Sequence, residues 1–178
     1  MSLLVLGPAG GGKTLLVKRL QKLTSGETKG DLGDPPPTQP TVGTNLTDLM
    51  VRRKMVVREL GGRMAPIWSS YYGDARAIMF VMDASDPTQL SSSCAQLLGV
   101  LSAEQLATVP VLVLFNKIDL PCYMSPEEMK GLLRLPDIIA RASQPIAIAH
   151  VSARDGTGLP QVLRWLRDPR LPQSHPPN

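Results

Sequence analysis

Short apolar runs alternate with segments of helical period along most of this chain, the signature of an α/β sheet. Leu3-Leu4-Val5-Leu6, Ala77-Ile78-Met79-Phe80-Val81-Met82 and the run Val109–Phe115 are almost continuously apolar, as expected of parallel strands buried on both faces. Gly43–Val51 and Met55–Leu60 alternate more and flank the basic triplet Arg52-Arg53-Lys54, which predicts a hairpin with a solvated turn. Ile146–Val151 supplies a last strand. Leu15, Leu16, Leu20 and Leu23 recur at helical spacing over 13–23, and further helices are predicted near 65–74, 87–101, 125–133 and 158–167. Two stretches break the pattern. Residues 24–40 are small, polar and Pro-rich, including Asp34-Pro35-Pro36-Pro37, and an unstructured stretch of that length inside a domain is usually functional or mobile. The tail 168–178 is Pro-rich and is expected to be disordered.

Composition narrows the picture. The 178 residues leave room for one domain, here 1–167, and 43% hydrophobic residues suffice for a core. No apolar stretch approaches the ~18 residues of a membrane span. Met1-Ser2-Leu3 carries no basic n-region, Ser2 excludes myristoylation, and no cysteine near the C-terminus suits prenylation. The two cysteines, Cys94 and Cys122, make no disulfide framework and point to a reducing, cytoplasmic setting. The net charge of +4 is spread thinly apart from Arg52-Arg53-Lys54, so it reads as solvated surface and not as a nucleic-acid face.

The chemistry begins at Gly7-Pro-Ala-Gly-Gly-Gly-Lys-Thr14, which fits G-x-x-x-x-G-K-[ST] between the first strand and the first helix. Gly7, Gly10, Gly11 and Gly12 let the backbone wrap a phosphate with N–H groups inward, and the helix N-terminus adds positive dipole. Lys13 is placed to reach β- and γ-phosphates, and the Thr14 hydroxyl to ligate Mg²⁺. Asn116-Lys117-Ile118-Asp119 follows the strand Val109–Phe115, at the sheet edge where ligands of open α/β folds bind. A carboxylate at Asp119 can accept from both guanine N1–H and the exocyclic amine, a pair adenine lacks. Asn116 would hold the loop and base, and the Lys117 stem would pack on the purine ring.

The two motifs in this order resemble the Ras-type small GTPases. Pro40-Thr-Val-Gly-Thr-Asn45, Glu59-Leu-Gly-Gly62 and Pro66-Ile-Trp-Ser-Ser-Tyr-Tyr72 narrow the resemblance to the Arf-like branch, over nearly all of Leu3–Leu166. The resemblance implies a P-loop NTPase small G-domain: α/β, a mostly parallel six-stranded sheet with one antiparallel strand, and helices on both faces. It implies GTP/GDP and Mg²⁺ as ligands, a switch I region at 24–44 and a switch II region at 59–75. Thr41 would read Mg²⁺ and the γ-phosphate, or simply start a strand after Pro40. Gly62 would donate its N–H to the γ-phosphate, or form a plain turn. Glu59 would reach Mg²⁺ through a water. Ser152-Ala153-Arg154 matches the loop whose backbone touches the guanine carbonyl, or ends a strand before the next helix.

Departures from the family pattern bear on function. Glu59 replaces an Asp, and Arg63 stands where the water-orienting Gln belongs. Unaided hydrolysis is therefore expected to be very slow, with Arg63 either contacting the γ-phosphate or pointing to solvent. Thr44 replaces an aromatic of the effector surface, while Trp68 and Tyr71 match two others. Trp68 either anchors partners or fills the core, and Tyr71 is expected to be the more exposed. The family's N-terminal amphipathic helix has no counterpart before the first strand, so membrane association is expected only through a partner protein. The reading is a monomeric guanine-nucleotide switch that recruits protein effectors; the alternatives are a competent GTPase using Arg63 or a partner's arginine, and a nucleotide-insensitive interaction scaffold.

Overall fold

The computed structural model describes residues 2–26, 33, 35–36, 43–121 and 124–169. Thr41, Cys122, the bulk of the 24–40 stretch and the tail beyond Pro169 lie outside the described residues. Six strands form one sheet in the order β2-β3-β1-β4-β5-β6. They are β1 (Ser2–Leu6), β2 (Thr44–Val51), β3 (Arg53–Leu60), β4 (Ala75–Asp83), β5 (Val111–Asn116) and β6 (Ile146–His150). β2 and β3 pair antiparallel from Thr44↔Leu60 to Val51↔Arg53, and every other pairing is parallel. The expected sheet is therefore the one observed. The hairpin turn is tighter than the basic triplet suggested: Arg52 alone makes it, at φ 55°, and Arg53 and Lys54 already belong to β3.

Side-chain alternation along the central strands builds two cores. Leu3 and Val5 of β1, Met79 and Val81 of β4, and Leu112 and Leu114 of β5 face α1 (Lys13–Thr24) and α5 (Leu159–Arg167), which contribute Leu16, Leu20, Val162 and Trp165. The intervening residues Leu4, Leu6, Phe80, Val113 and Phe115 face the other way. There they meet α2 (Leu90–Ser102), α3 (Pro126–Leu132), α4 (Leu135–Arg141) and the 3₁₀ run Gly62–Asp74. Because both faces are covered, these strands need apolar residues at every position, which produced the unbroken runs in the sequence.

Three local differences have physical causes. The segment expected as a helix at 65–74 is 3₁₀ from Gly62 to Asp74 and carries Pro66 inside it, where a regular α-helix would lose a donor and clash with the preceding turn. Residues 87–89 form a separate 3₁₀ turn whose Thr88 N–H is capped by Asp86, so α2 starts only at Leu90. α4 was not among the expected helices; its Pro136 sits in the first turn, where the missing N–H has no partner to lose. α3 starts as its sequence suggests, with the Ser125 hydroxyl accepting from Glu128 N–H at 3.2 Å.

Candidate functional site: a pocket at the carboxyl edge of the sheet

The loop between β1 and α1 is built by glycine. Gly7, Gly10 and Gly12 have φ of 141°, 80° and 90°. Two of them are also closed in by their neighbours: a Cβ at Gly7 would lie 2.2 Å from Val81 O, and one at Gly12 would lie 2.4 Å from Asn116 Nδ2. That closeness is functional in form, because Asn116 ties the loops together. Its Nδ2 donates to Gly11 O at 2.9 Å, and its Oδ1 accepts from Ala153 N–H at 3.1 Å. Asn116 is 2% exposed, so both bonds are shielded from water. In this structure the Ala153 N–H thus serves Asn116, and Gly11 meets the base-side loop through a single amide side chain.

Lys13 is buried and donates to the carbonyls of Gly7 and Pro8 at 2.9 and 2.8 Å. Burial lowers its pKa from 10.5 to about 8, against an opposing pull from the Glu59 carboxylate. Thr14 donates its hydroxyl to Glu59 Oε1, which brings the first turn of α1 against the end of β3. Among the described residues there is no group of three or more His, Cys, Asp or Glu side chains that would hold a metal alone. A hydroxyl and one carboxylate suit Mg²⁺, which keeps several waters and takes its remaining oxygens from substrate phosphates. The donor set therefore fits the cofactor expected from sequence. Beyond Glu59, Gly62 packs so tightly on the phosphate loop that a Cβ would stand 2.1 Å from Ala9 N.

The base side is equally ordered. Lys117, at φ 67°, donates to Gly10 O at 2.6 Å and pairs with Asp83 at 2.9 Å. Ser152 donates its hydroxyl to Asp119 Oδ1 at 2.8 Å. The loop carrying Ser152 is closed by Ser152 N–H to Thr157 O (2.9 Å) and Gly156 N–H to Ser152 O (2.8 Å). Asp155 accepts from Thr157 N–H at 2.9 Å, and hydrogen bonds from the Thr157 side chain and backbone hold its carboxyl below the usual range. Between these elements lies a pocket of about 400 Å³ whose walls include Gly12, Pro35, Lys117, Asp119, Leu120 and Arg154.

One residue of this region escaped the sequence reading. Arg19 is 1% exposed, yet donates Nε to Ala153 O at 3.0 Å and Nη2 to Arg154 O at 2.7 Å. Both Nη atoms also reach Gly33 O, at 3.4 and 3.3 Å. The signal was present: position 19 falls on the stripe of Leu16, Leu20 and Leu23, where a charge must find internal partners.

The remaining expected residues divide between core and surface. Trp68, placed among partner-facing residues from sequence, is 2% exposed and belongs to the core. Its Nε1 donates to Gly61 O at 3.1 Å and its ring meets Phe80 edge-on at 6.5 Å, so packing takes the indole out of reach of a partner. Tyr71 is half-buried, with the Arg58 guanidinium 5.3 Å above its ring. Thr44 is half-buried at the start of β2, and Arg63 is exposed.

With this geometry in place, comparison with known proteins is direct. The model of the ADP-ribosylation factor (Arf) family matches residues 1–169. Human ADP-ribosylation factor-like protein 16 is 71% identical over 92% of this chain and 83% of its own length. ADP-ribosylation factor-like protein 1 of Saccharomyces cerevisiae is 33% identical over 94% of this chain and 86% of its own length. The fold matches that of the Arl6 BBS3 small GTPase from Trypanosoma brucei, solved with the nucleotide analogue GppNp. The TM-score is 0.79 at 22% identity, covering 95% of this chain and 96% of that one. The chain belongs to the ADP-ribosylation factor family of small GTPases.

Proposed function

We propose that this chain is a GTP/GDP-dependent switch that holds its nucleotide with Mg²⁺ and hydrolyses it very slowly unaided. The observation that carries the reading is the meeting of three loops around one pocket. Gly7–Thr14 supplies a phosphate cradle, Asn116–Asp119 a carboxylate for the purine edge, and Ser152–Arg154 a loop tied to the second, which Asn116 ties in turn to the first. In this reading Gly7, Gly10, Gly11 and Gly12 present N–H groups to phosphates, and the Lys13 ammonium exchanges its carbonyl partners for phosphate oxygens. Thr14, Thr41 and Glu59 (through water) serve Mg²⁺, which would neutralise phosphate charge. Gly62 meets the γ-phosphate, and Asp119 accepts from guanine N1–H and the exocyclic amine.

Slow hydrolysis follows from Arg63. A guanidinium has no acceptor and cannot take the part of a Gln that orients the attacking water. Its exposure supports a side chain directed to solvent and not to the reaction. Protein partners read the state from the surface of Thr44 and Tyr71, where Leu46 and Ile67 are also exposed, at 60% and 50%.

The specificity claim is tested by Asp119→Asn. Xanthine carries an oxygen where guanine carries the amine, so an amide that donates should exchange GTP preference for XTP preference. Fluorescent-nucleotide titration reads both affinities. Retained GTP preference would remove Asp119 from base recognition and the guanine assignment with it.

A further inference from the structure

Arg19 lies three residues from Leu16 and four from Leu23, on the inner face of α1, and is among the largest fully buried side chains in the protein. A charged group there has to be satisfied by fixed acceptors. Among the described residues, acceptors include backbone carbonyls from two segments far apart in sequence. Ala153 O and Arg154 O belong to the loop at the base end of the pocket, and Gly33 O to the switch I region. Two residues beyond Gly33, Pro35 lines that same pocket, as do Ala153 and Arg154. The planar fork of a guanidinium can span such acceptors, whereas the single ammonium of a lysine cannot.

We propose that Arg19 is the positioning residue that sets the base loop and Gly33 of the switch I region in one register, so that both sides of the nucleotide pocket open together. The proposal rests on the guanine-nucleotide reading above. The Ala153 N–H serves Asn116, so the donor of this loop that would read the guanine oxygen is the Arg154 N–H, on the peptide whose carbonyl Arg19 holds. Asp119 stands in the turn after β5, closed by Leu120 N–H to Lys117 O at 3.1 Å, and depends on the loop only through the Ser152 hydroxyl. Loss of Arg19 should therefore damage recognition of the guanine oxygen more than recognition of the amine. It should also release Pro35 and speed the escape of nucleotide.

The test compares wild type, Arg19→Gln and Arg19→Lys in the full chain, with 6-thio-GDP and inosine diphosphate as base analogues. The first weakens the acceptor at the guanine oxygen, and the second lacks the amine. Arg19→Gln should release fluorescent GDP at least roughly tenfold faster, since two charge-assisted hydrogen bonds to the base loop are lost. Its preference for GDP over 6-thio-GDP should narrow while its preference over inosine diphosphate persists, and Arg19→Lys should fall between. General destabilisation would lower both preferences alike. Release rates within twofold of wild type in both variants, or an unchanged preference over 6-thio-GDP, overturn the proposal. Amide hydrogen exchange at Asp155–Thr157 without nucleotide gives an independent readout. Faster exchange in Arg19→Gln supports the positioning role even if the wild type binds no guanine nucleotide, which would overturn only the nucleotide reading. Unchanged exchange counts against Arg19 directly.

Discussion

Lys13→Met should stabilise the nucleotide-free protein while abolishing its grip on phosphate. The ammonium is 5% exposed, and burial lowers its pKa from 10.5 to about 8. At 1.36 kcal/mol per pH unit, that gap means the buried charge costs about 3 kcal/mol at neutral pH. Removing it also strips a donor from Gly7 O and Pro8 O, at about 1 kcal/mol each. A net gain of ~1–2 kcal/mol should remain. The sign of the pH dependence separates this cause from others. Between pH 8 and 10.5 the unfolded chain still binds the Lys13 proton while the folded protein has released it, so wild-type stability rises with pH through that window. The advantage of Lys13→Met is then full below pH 8 and shrinks by about 3 kcal/mol on reaching pH 10.5, where the lost carbonyl bonds leave it the less stable form. The assay is urea unfolding of both proteins, stripped of nucleotide, at several pH values. A difference that stays constant from pH 7 to 10.5, or a variant that is less stable at pH 7, would refute the idea that the phosphate loop stores the burial of a charge.

Other outcomes follow from the same geometry. Trp68→Ala should lose ~3–5 kcal/mol in chemical denaturation, since it empties a core site and orphans Gly61 O. Arg63→Ala, on the surface, should stay within about 0.5 kcal/mol of wild type in the same experiment. Gly12→Ala drives a methyl into Asn116 Nδ2 from a backbone at φ 90°, so nucleotide affinity measured by titration should fall sharply; wild-type affinity would mean the Asn116 link is dispensable. Arg63→Gln should make single-turnover GTP hydrolysis measurably faster, and an unchanged rate would locate the slow step elsewhere.

Much of the architecture could be read from residue order, because strands covered on both faces demand uninterrupted apolar runs and the phosphate loop demands its glycines. Pairing of β2 with β3 followed from a polar turn between two alternating segments. Where the sequence misled, a local rule yielded to position. Pro136 counts against a helix in general but is harmless in the first turn of α4. Trp68 looked equally suited to surface and core, and only the space beneath Gly61 beside Phe80 decides for the core. Arg19 was overlooked because its acceptors are carbonyls of residues 14 to 135 positions away, which no local pattern displays. Side-chain chemistry marked the residues proposed for phosphate, Mg²⁺ and base, whereas the backbone partners that orient them needed coordinates.

The central claim is that this fold binds guanine nucleotide. Its most direct test is to purify the full chain in Mg²⁺ without added nucleotide, denature it and identify what is released by chromatography. The account predicts GDP or GTP approaching one per chain, lost on EDTA treatment and strongly reduced in Asp119→Asn. Release of adenine nucleotide, or a protein that neither carries guanine nucleotide nor takes it up when offered, would contradict it.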